Sequence, residues 1–343
     1  MKHIKNSSDI ARVLATISLS ALSACGSQGG GSTLSANVPA APSAPIAQSS
    51  SFYFTEYPLL AASSYPVSIT AGPDGNLWVT QIGMLIKSST SGHMLALPGI
   101  QANSITQGPD KNLWLTLGDG SVARLTTSGV LTEFSGTTAV AGQAITAGPD
   151  GNLWVAGYNS IARITTSGAA TIYDLPFFDQ PQSITPGPDG NIWFAEAAAN
   201  RIGRITPSGL ISEFPVPGNA ANATEGICTG ADGNLWFTER SMGEIGRMTP
   251  SGAVTTFALP AGGNSGPVFC TAGPDGNIWF VENMANKIGR ITPSGAITEQ
   301  FIPTANSAPL DITVGPDHRL WFTEEVASQL GAISLTPPAS THR

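Results

Sequence analysis

The sequence predicts an all-β protein, a seven-bladed β-propeller with four-stranded blades. The motif Gly-Pro-Asp-Gly-Asn-Leu/Ile-Trp recurs along the chain, at spacings of 36 to 43 residues that match one propeller blade rather than one helical solenoid unit. A content of 39 glycines and 26 prolines with only 11% charged residues favours short strands joined by tight turns. The motif places all seven tryptophans of the chain in one register: Trp78, Trp114, Trp154, Trp193, Trp236, Trp279 and Trp321.

The N-terminus has the pattern of a bacterial lipoprotein. Residues 1–24 combine a basic start with a short apolar stretch, residues 13–24, which predicts a signal peptide rather than a membrane span. The run Leu-Ser-Ala-Cys at its end predicts acylation of Cys25; an ordinary secretory peptide with an incidental cysteine is the alternative. Residues 25–51, rich in Gly, Ser, Ala and Pro, are expected to form a flexible tether.

These features predict a bacterial cell-envelope location, with the membrane contacted only through the lipid anchor. The outer membrane is the expected membrane because Gly26, not aspartate, follows the acylated cysteine. Nucleic acid is excluded as a partner, since 23 acidic against 15 basic residues give a field that repels polyanions.

Each repeat divides into four strand-like segments, which in blade four are residues 183–185, 191–196, 201–206 and 210–216. The Pro-Asp-Gly-Asn run is turn chemistry, so its aspartate and glycine are interpreted as turn residues rather than ligands. Each tryptophan is flanked by apolar residues and is expected to pack between adjacent blades.

The ring is predicted to close by exchange of a strand between the chain ends. The last repeat stops before its fourth strand, whereas residues 52–58 resemble residues 210–215 and precede the first tryptophan unit. We therefore expect residues 52–58 to complete blade seven, which removes the exposed edges of an open array. The propeller then spans residues 52–336, and residues 337–343 form a tail.

Charged residues recur at two strand positions of blades four to six. A glutamate follows each tryptophan by three residues and an arginine follows it by eleven, which predicts three cross-strand ion pairs. The glutamates are Glu196, Glu239 and Glu282, and the arginines are Arg204, Arg247 and Arg290. Blade seven has Glu324 and then Glu325, but Ala332 takes the arginine's place. The unmatched acids predict a metal or ligand contact, with solvation as the alternative.

Few other residues are suited to catalysis. The sequence has no zinc pattern, phosphate-binding loop or nucleophile elbow, and its histidines do not fall at strand ends. Cys228 and Cys270 occupy the first strands of adjacent blades, one residue apart in register. Because alternate strand positions face opposite sides, two buried thiols are favoured over a disulfide.

The segments Ile-Thr-x-Gly-Pro-Asp-Gly-Asn-Leu-Trp-Phe-Thr-Glu and Ile-Gly-Arg-Ile-Thr-Pro-Ser-Gly resemble the repeat of the streptogramin B lyases (virginiamycin B lyase), over residues 52 to about 336. The resemblance implies a seven-bladed propeller that opens a cyclic depsipeptide by magnesium-assisted elimination. It also implies a basic histidine five residues before the motif glycine of the last blade and a substrate-binding histidine one blade earlier. This chain has Leu310 and Val268 at those places.

The other implied positions are also altered. A metal-binding acid is expected two residues before the base, where the chain has Ala308, and the remaining acids are Glu324 and Glu325. Glu225 takes the base position in blade five and is the candidate replacement base.

Two hypotheses about function follow. The first is a non-catalytic binding or interaction module of the cell envelope, whose partner is an unidentified small molecule or envelope ligand. The alternative is a carbon–oxygen lyase acting on a cyclic depsipeptide or related substrate, with Glu324 and Glu325 holding Mg²⁺ and Glu225 as base.

Overall fold

The computed structural model describes residues 52–134, 136–137, 142–176, 179–218 and 224–337. The predicted signal peptide, the acylation site Cys25 and the predicted tether lie outside these ranges, as do residues 338–343. Within them the chain forms 28 β-strands and two short 3₁₀ turns, at residues 136–137 and Gly262–Asn264. None of the helices in these ranges has the length and apolarity needed to cross a membrane.

The predicted fold class is confirmed: the strands make seven antiparallel four-stranded sheets. Blades one to three are β2 (Ile69–Ala71), β3 (Leu77–Gln81), β4 (Met84–Ser88), β5 (Met94–Pro98), β6 (Ala102–Gln107), β7 (Leu113–Leu117), β8 (Val122–Leu125), β9 (Leu131–Phe134), β10 (Ala144–Ala147), β11 (Leu153–Ala156), β12 (Ser160–Ile164) and β13 (Ala170–Asp174). Blades four to six are β14 (Pro181–Pro186), β15 (Ile192–Glu196), β16 (Arg201–Ile205), β17 (Ile211–Pro215), β18 (Thr224–Thr229), β19 (Leu235–Glu239), β20 (Glu244–Met248), β21 (Val254–Ala258), β22 (Pro267–Ala272), β23 (Ile278–Glu282), β24 (Lys287–Ile291) and β25 (Ile297–Phe301). Blade seven contains β26 (Pro309–Val314), β27 (Leu320–Glu324), β28 (Gln329–Ser334) and β1 (Tyr53–Pro58).

The strand exchange predicted to close the ring is present. β1 pairs with β28, with Tyr53 opposite Ser334 and Pro58 opposite Gln329. The first strands of neighbouring blades contact one another at all seven junctions, so these strands surround the axis of the ring.

The recurrent turn is held by its own tryptophan. In all seven blades the indole Nε1 donates to the motif aspartate at 2.9 to 3.2 Å. The first motif glycine lies under this contact; a Cβ at Gly315, for example, would overlap Trp321 and Asp317. The motif is therefore scaffold, as its turn chemistry predicts.

The tryptophans fill the gaps between blades. They are at most 1% exposed, and Trp236 of blade five shares a buried cluster with Ile278 and Phe280 of blade six. In five blades an aromatic ring of the fourth strand stacks on the indole, as Phe214 does on Trp193 at 5.2 Å between ring centroids.

Blade six obtains its aromatic ring from the N-terminus. Its fourth strand has Gln300 where blade four has Phe214, each opposite the second residue of the preceding strand. The ring of Phe52 takes the vacant place, 4.6 Å from the Trp279 ring. The Phe52 N–H donates to Gln300 Oε1 at 2.9 Å, and Gln300 Nε2 donates to the Phe52 carbonyl at 3.2 Å. Phe52, the residue before β1, thus attaches this segment to blade six as well as to blade seven.

The predicted glutamate–arginine pairs are wrong. In blade four Arg204 lies opposite Trp193, while Glu196 lies opposite Arg201. The Arg204 guanidinium is 5.4 Å from the Trp193 ring and 3.8 Å from the motif aspartate, Asp189. The third-strand cation therefore covers the tryptophan and does not neutralise the glutamate.

Blade seven also has a cation against its tryptophan, but a residue at a different position supplies it. Ala332 lies opposite Trp321, and Arg319 approaches from the start of the same strand as the indole, 4.6 Å from its ring. Arg319 Nε also contacts Asp317 at 2.6 Å. The alanine at 332 thus does not distinguish Glu324 from the other strand-end glutamates.

The two buried thiols favoured by the sequence are instead a disulfide, Cys228–Cys270, with the Cα atoms 5.9 Å apart. Alternation separates positions within one sheet, but here two different sheets face each other. The two blades meet through opposite faces of their sheets. The first-strand positions of blade five that point toward blade six are therefore shifted by one residue from the positions of blade six that point toward blade five. A one-residue offset therefore brings the sulfur atoms together.

Candidate functional site

The chemically distinctive residues lie at one end of the ring. We call this end the loop mouth; it carries the crossovers between blades and the loops between second and third strands. Those loops are residues 82–83, 118–121, 157–159, 197–200, 240–243, 283–286 and 325–328. The Gly-Pro-Asp-Gly turns lie at the opposite end, because each first strand runs away from the loop mouth and each second strand returns to it.

The first strands of blades five to seven are bulged just inside the loop mouth. The register shifts between Thr224 and Ile227 in β18, and at the equivalent places in β22 and β26. The bulges contain the three positions that the family resemblance singles out: Glu225, Val268 and Leu310. A bulge is a common means of redirecting side chains near a functional site.

The two positions expected to hold histidines carry apolar side chains, and these side chains pack against apolar neighbours. Val268 is fully buried in a cluster that includes Phe322, and Leu310 is partly buried against the same cluster. Neither can accept a proton. Ala308 contributes only its backbone, whose carbonyl accepts a hydrogen bond from Glu325 N at 3.1 Å.

Glu225 is held by an arginine that the sequence analysis did not single out. Arg240 Nη1 lies 3.1 and 3.4 Å from the two carboxylate oxygens of Glu225. Burial raises the pKa of Glu225, and the charge and hydrogen bond of Arg240 oppose that rise. Burial likewise raises the pKa of Glu325, and the same guanidinium lowers it. Arg240 thus connects the acids of blades five and seven electrostatically.

A signal for Arg240 was present in the sequence. Arg240 and Glu325 both stand four residues after their tryptophans, a position with no consensus among the repeats. An arginine and a glutamate at equivalent places in a ring can face each other across the mouth.

Glu324 is directed away from this cluster, into blade seven. It is fully buried, and its Oε2 accepts from Gln329 Nε2 at 3.0 Å, while Oε1 has no hydrogen-bond partner. Burial raises the pKa of Glu324 to about 7; Gln329 and Ser307 oppose this rise and the charge of Glu56 adds to it. Burial thus favours the protonated form of this carboxyl group more than in an exposed glutamate.

The implied magnesium site does not fit these residues. Mg²⁺ requires near-octahedral oxygen ligands and is normally held by carboxylates. Ala308 offers no carboxylate, Glu324 faces Gln329, and Glu325 lies in the field of Arg240. In the described residues the one group of three acidic side chains able to hold an ion lies in blade four. The assignment of Glu324 and Glu325 as metal ligands stays a prediction, and no reaction step is derived through a metal there.

The rim of the loop mouth carries exposed apolar side chains. Five of the seven blades present one from the loop after the second strand, each 41–60% exposed. They are Ile82, Tyr158, Met242, Met284 and Val326. Large exposed apolar side chains grouped at one end of a fold are typical of ligand or partner binding.

Comparison with known proteins agrees with this architecture. The family model described as "Virginiamycin B lyase family" matches residues 88–342. A streptogramin B lyase structure is 34% identical, with a TM-score of 0.77, and covers 83% of this chain and 98% of that one. Virginiamycin B lyase from Staphylococcus aureus is also 34% identical, with a TM-score of 0.78, covering 83% of this chain and all of that one.

A third similar structure contains a ligand. It is a catalytically inactive histidine-to-alanine variant of the S. aureus lyase with quinupristin, 34% identical, with a TM-score of 0.76, covering 83% of this chain and 100% of that one. No curated protein sequence matches the chain.

Proposed function

Since the chain belongs to the virginiamycin B lyase family, we propose that it is a cell-envelope lipoprotein that uses the family's propeller to bind a ligand without transforming it. The observation that carries this proposal is the pair of apolar side chains, Val268 and Leu310, at the positions implied for the histidines. A properly placed general base typically contributes about 10²–10⁴-fold in rate, and no other group occupies these two places.

The loop mouth indicates the chemistry of the ligand. Its rim is apolar and includes two methionines, whose flexible side chains adapt to ligand shape. Arg240, Glu225 and Glu325 add a polar group within the ring. We infer a ligand with a substantial apolar surface and a few polar groups, such as a cyclic peptide or depsipeptide.

An envelope location is supported by the Cys228–Cys270 disulfide, because disulfides persist in oxidising compartments. Acylation at Cys25 would anchor the propeller at the membrane surface through residues 25–51. Cys25→Ser should release the protein from the membrane fraction and remove the lipid mass from its N-terminal peptide. A membrane-bound, lipid-modified Cys25→Ser protein would contradict the anchor.

A lyase is the second candidate, and Glu225 is the observation that favours it. This carboxylate occupies the base register of blade five, and burial raises its pKa, which makes it a stronger proton acceptor. The reaction would be proton abstraction next to a carbonyl with expulsion of the ester oxygen, which opens a cyclic depsipeptide. The Arg240 contact opposes this role, because it stabilises the charged, less basic carboxylate.

Quinupristin is the probe that separates the two functions. Calorimetry should show saturable binding that Met242→Glu with Met284→Glu weakens at least tenfold, while mass spectrometry shows no linear product with or without Mg²⁺. Glu133→Gln, on an exposed outer strand, is the matched control and should leave binding unchanged. Turnover that is lost in Glu225→Gln but kept in Glu133→Gln would establish the lyase instead. The absence of both binding and turnover would refute both functions for this ligand class.

A further inference from the structure

Blade four contains a cluster of three carboxylates that does not include Glu225, Glu324 or Glu325. Asp179 precedes β14, Glu196 ends β15 and Glu213 lies in β17. One oxygen from each lies within 4.8 Å of the others. Asp179 is 3% exposed, Glu196 is fully buried and Glu213 is partly buried.

Four buried carboxylate oxygens of this cluster lack hydrogen-bond partners. Neither oxygen of Glu196 has one, nor does Oδ2 of Asp179 or Oε1 of Glu213. A buried polar atom without a partner costs roughly 1–3 kcal/mol, and more when it is charged. Four such atoms at one point leave the cluster short of donors, and blade six has the same shortage at Ser265, Glu282 and Glu299. The third carboxylate is therefore the feature that sets blade four apart from blade six.

The other blades show what makes blade four different. Ser265 in blade six and Ser307 in blade seven occupy the place of Asp179, eight residues before the motif glycine. Their hydroxyl groups lower the pKa of Glu282 and Glu324 respectively. Blade four has a carboxylate where these two blades have a neutral hydroxyl group, so like-charge repulsion is added beside the buried glutamate.

One cation already belongs to the cluster but does not balance it. Arg201 Nη1 contacts Glu213 Oε2 at 2.8 Å, just as Lys287 contacts Glu299 in blade six at 2.6 Å. When ionised, three carboxylates and one guanidinium leave a net charge of −2. The charge of a divalent ion would cancel it.

We propose that Asp179, Glu196 and Glu213 form a divalent-cation site, with Ca²⁺ as the preferred ion. Carboxylate oxygens suit hard cations. Ca²⁺ binds oxygen at roughly 2.3–2.6 Å, so oxygens on opposite sides of one ion are up to about 5 Å apart, consistent with this cluster. Ca²⁺ is favoured over Mg²⁺ because it accepts irregular geometry and loses its water more readily. The bound ion links the segment before β14 to the second and fourth strands of its blade.

The electrostatics of the cluster agree with a cation site. Burial, with the charges of Glu213 and Asp179, raises the pKa of Glu196 to about 8, and Arg201 opposes this rise. A cation among the three carboxylates would offset the repulsion between Glu196 and its two acidic neighbours.

The site can be tested on the purified protein after removal of metals with a chelator. Calorimetry with CaCl₂ should show one saturable site, and Ca²⁺ should raise the melting temperature. Asp179→Ser copies blades six and seven and should weaken Ca²⁺ binding at least tenfold while raising the melting temperature of the metal-free protein. Glu196→Gln copies the buried Gln81 of blade one and should also abolish binding.

Glu282→Gln is the matched control, because it removes the equivalent glutamate from a blade that lacks the third acid. It should leave Ca²⁺ binding unchanged. Absence of saturable Ca²⁺ binding up to millimolar concentration would overturn the proposal. Equal binding by the Asp179→Ser protein would overturn it as well, since the ion would then be elsewhere.

Discussion

Phe52, the residue before β1, should contribute substantially to the stability of the propeller. Its side chain is only 3% exposed and substitutes for the aromatic residue missing from the fourth strand of blade six. Replacing a buried phenylalanine with alanine typically costs about 3–5 kcal/mol. Phe52→Ala should therefore lower the melting temperature by roughly 10 °C.

A rescue variant tests the reason for this loss. Gln300→Phe restores an aromatic residue at the position of Phe214, so it should recover part of the stability in the Phe52→Ala background. In the wild-type background the same change should destabilise, because two rings compete for one place and the Gln300 contacts with the Phe52 backbone are lost. Opposite effects in the two backgrounds are expected only if both residues serve the same gap.

Calorimetry and urea unfolding of the four proteins measure the coupling. Phe301→Ala is the control, since that side chain is 66% exposed in the same blade and its loss should cost less than about 1 kcal/mol. A Phe52→Ala protein as stable as the Phe301→Ala protein would refute the argument, as would Gln300→Phe acting equally in both backgrounds.

Three further predictions concern the rest of the ring. Reducing Cys228–Cys270, which spans 42 residues, should lower the free energy of unfolding by about 4 kcal/mol and so lower the melting temperature. The double variant Cys228→Ala with Cys270→Ala should show the same fall, and a thiol reductant should not lower its melting temperature further. The raised pKa of Glu196 should contribute a loss of stability in the metal-free protein of up to about 1.4 kcal/mol per pH unit as pH rises from 4.5 toward 8, since the folded state binds the additional proton. Urea unfolding of the wild type and Glu196→Gln at pH 5.5 and 8 isolates this contribution from those of Glu239, Glu282 and Glu324, and equal pH profiles would contradict it. Gly203→Ala should destabilise because its Cβ would overlap the Phe194 ring, and adding Phe194→Val, which copies Val155 and Ala162 of blade three, should reverse much of the loss in thermal melts.

The ring and its closure were predictable because repetition supplied seven copies of one pattern. A single strand-like segment is ambiguous, whereas a turn motif and a tryptophan recurring at blade spacing leave few other folds. The unmatched segment before the first repeat and the missing strand after the last repeat then indicated the pairing of β1 with β28.

Two local predictions failed because they depended on how strands face each other. The glutamate–arginine pairs assumed a hairpin register, but the four-residue loop 197–200 centres the hairpin so that Glu196 meets Arg201 and Trp193 meets Arg204. Counting the loop residues would have shown this. The disulfide depended on packing between two sheets, which the alternation rule for one sheet does not describe.

The residues that distinguish this chain are those that depart from its own repeat consensus, and they lie at the loop mouth. At the turn end every aspartate accepts a hydrogen bond from an indole, and the glycine beneath has no room for a side chain. A change there removes a buried hydrogen bond and opens the gap between blades. At the loop mouth no such motif constrains the repeat: Arg240 stands where blade four has Ala197, and Asp179 stands where blade six has Ser265. Individual chemistry in a repeat of this kind is therefore expected where the consensus fails, and blades four, five and seven are where this chain departs from it.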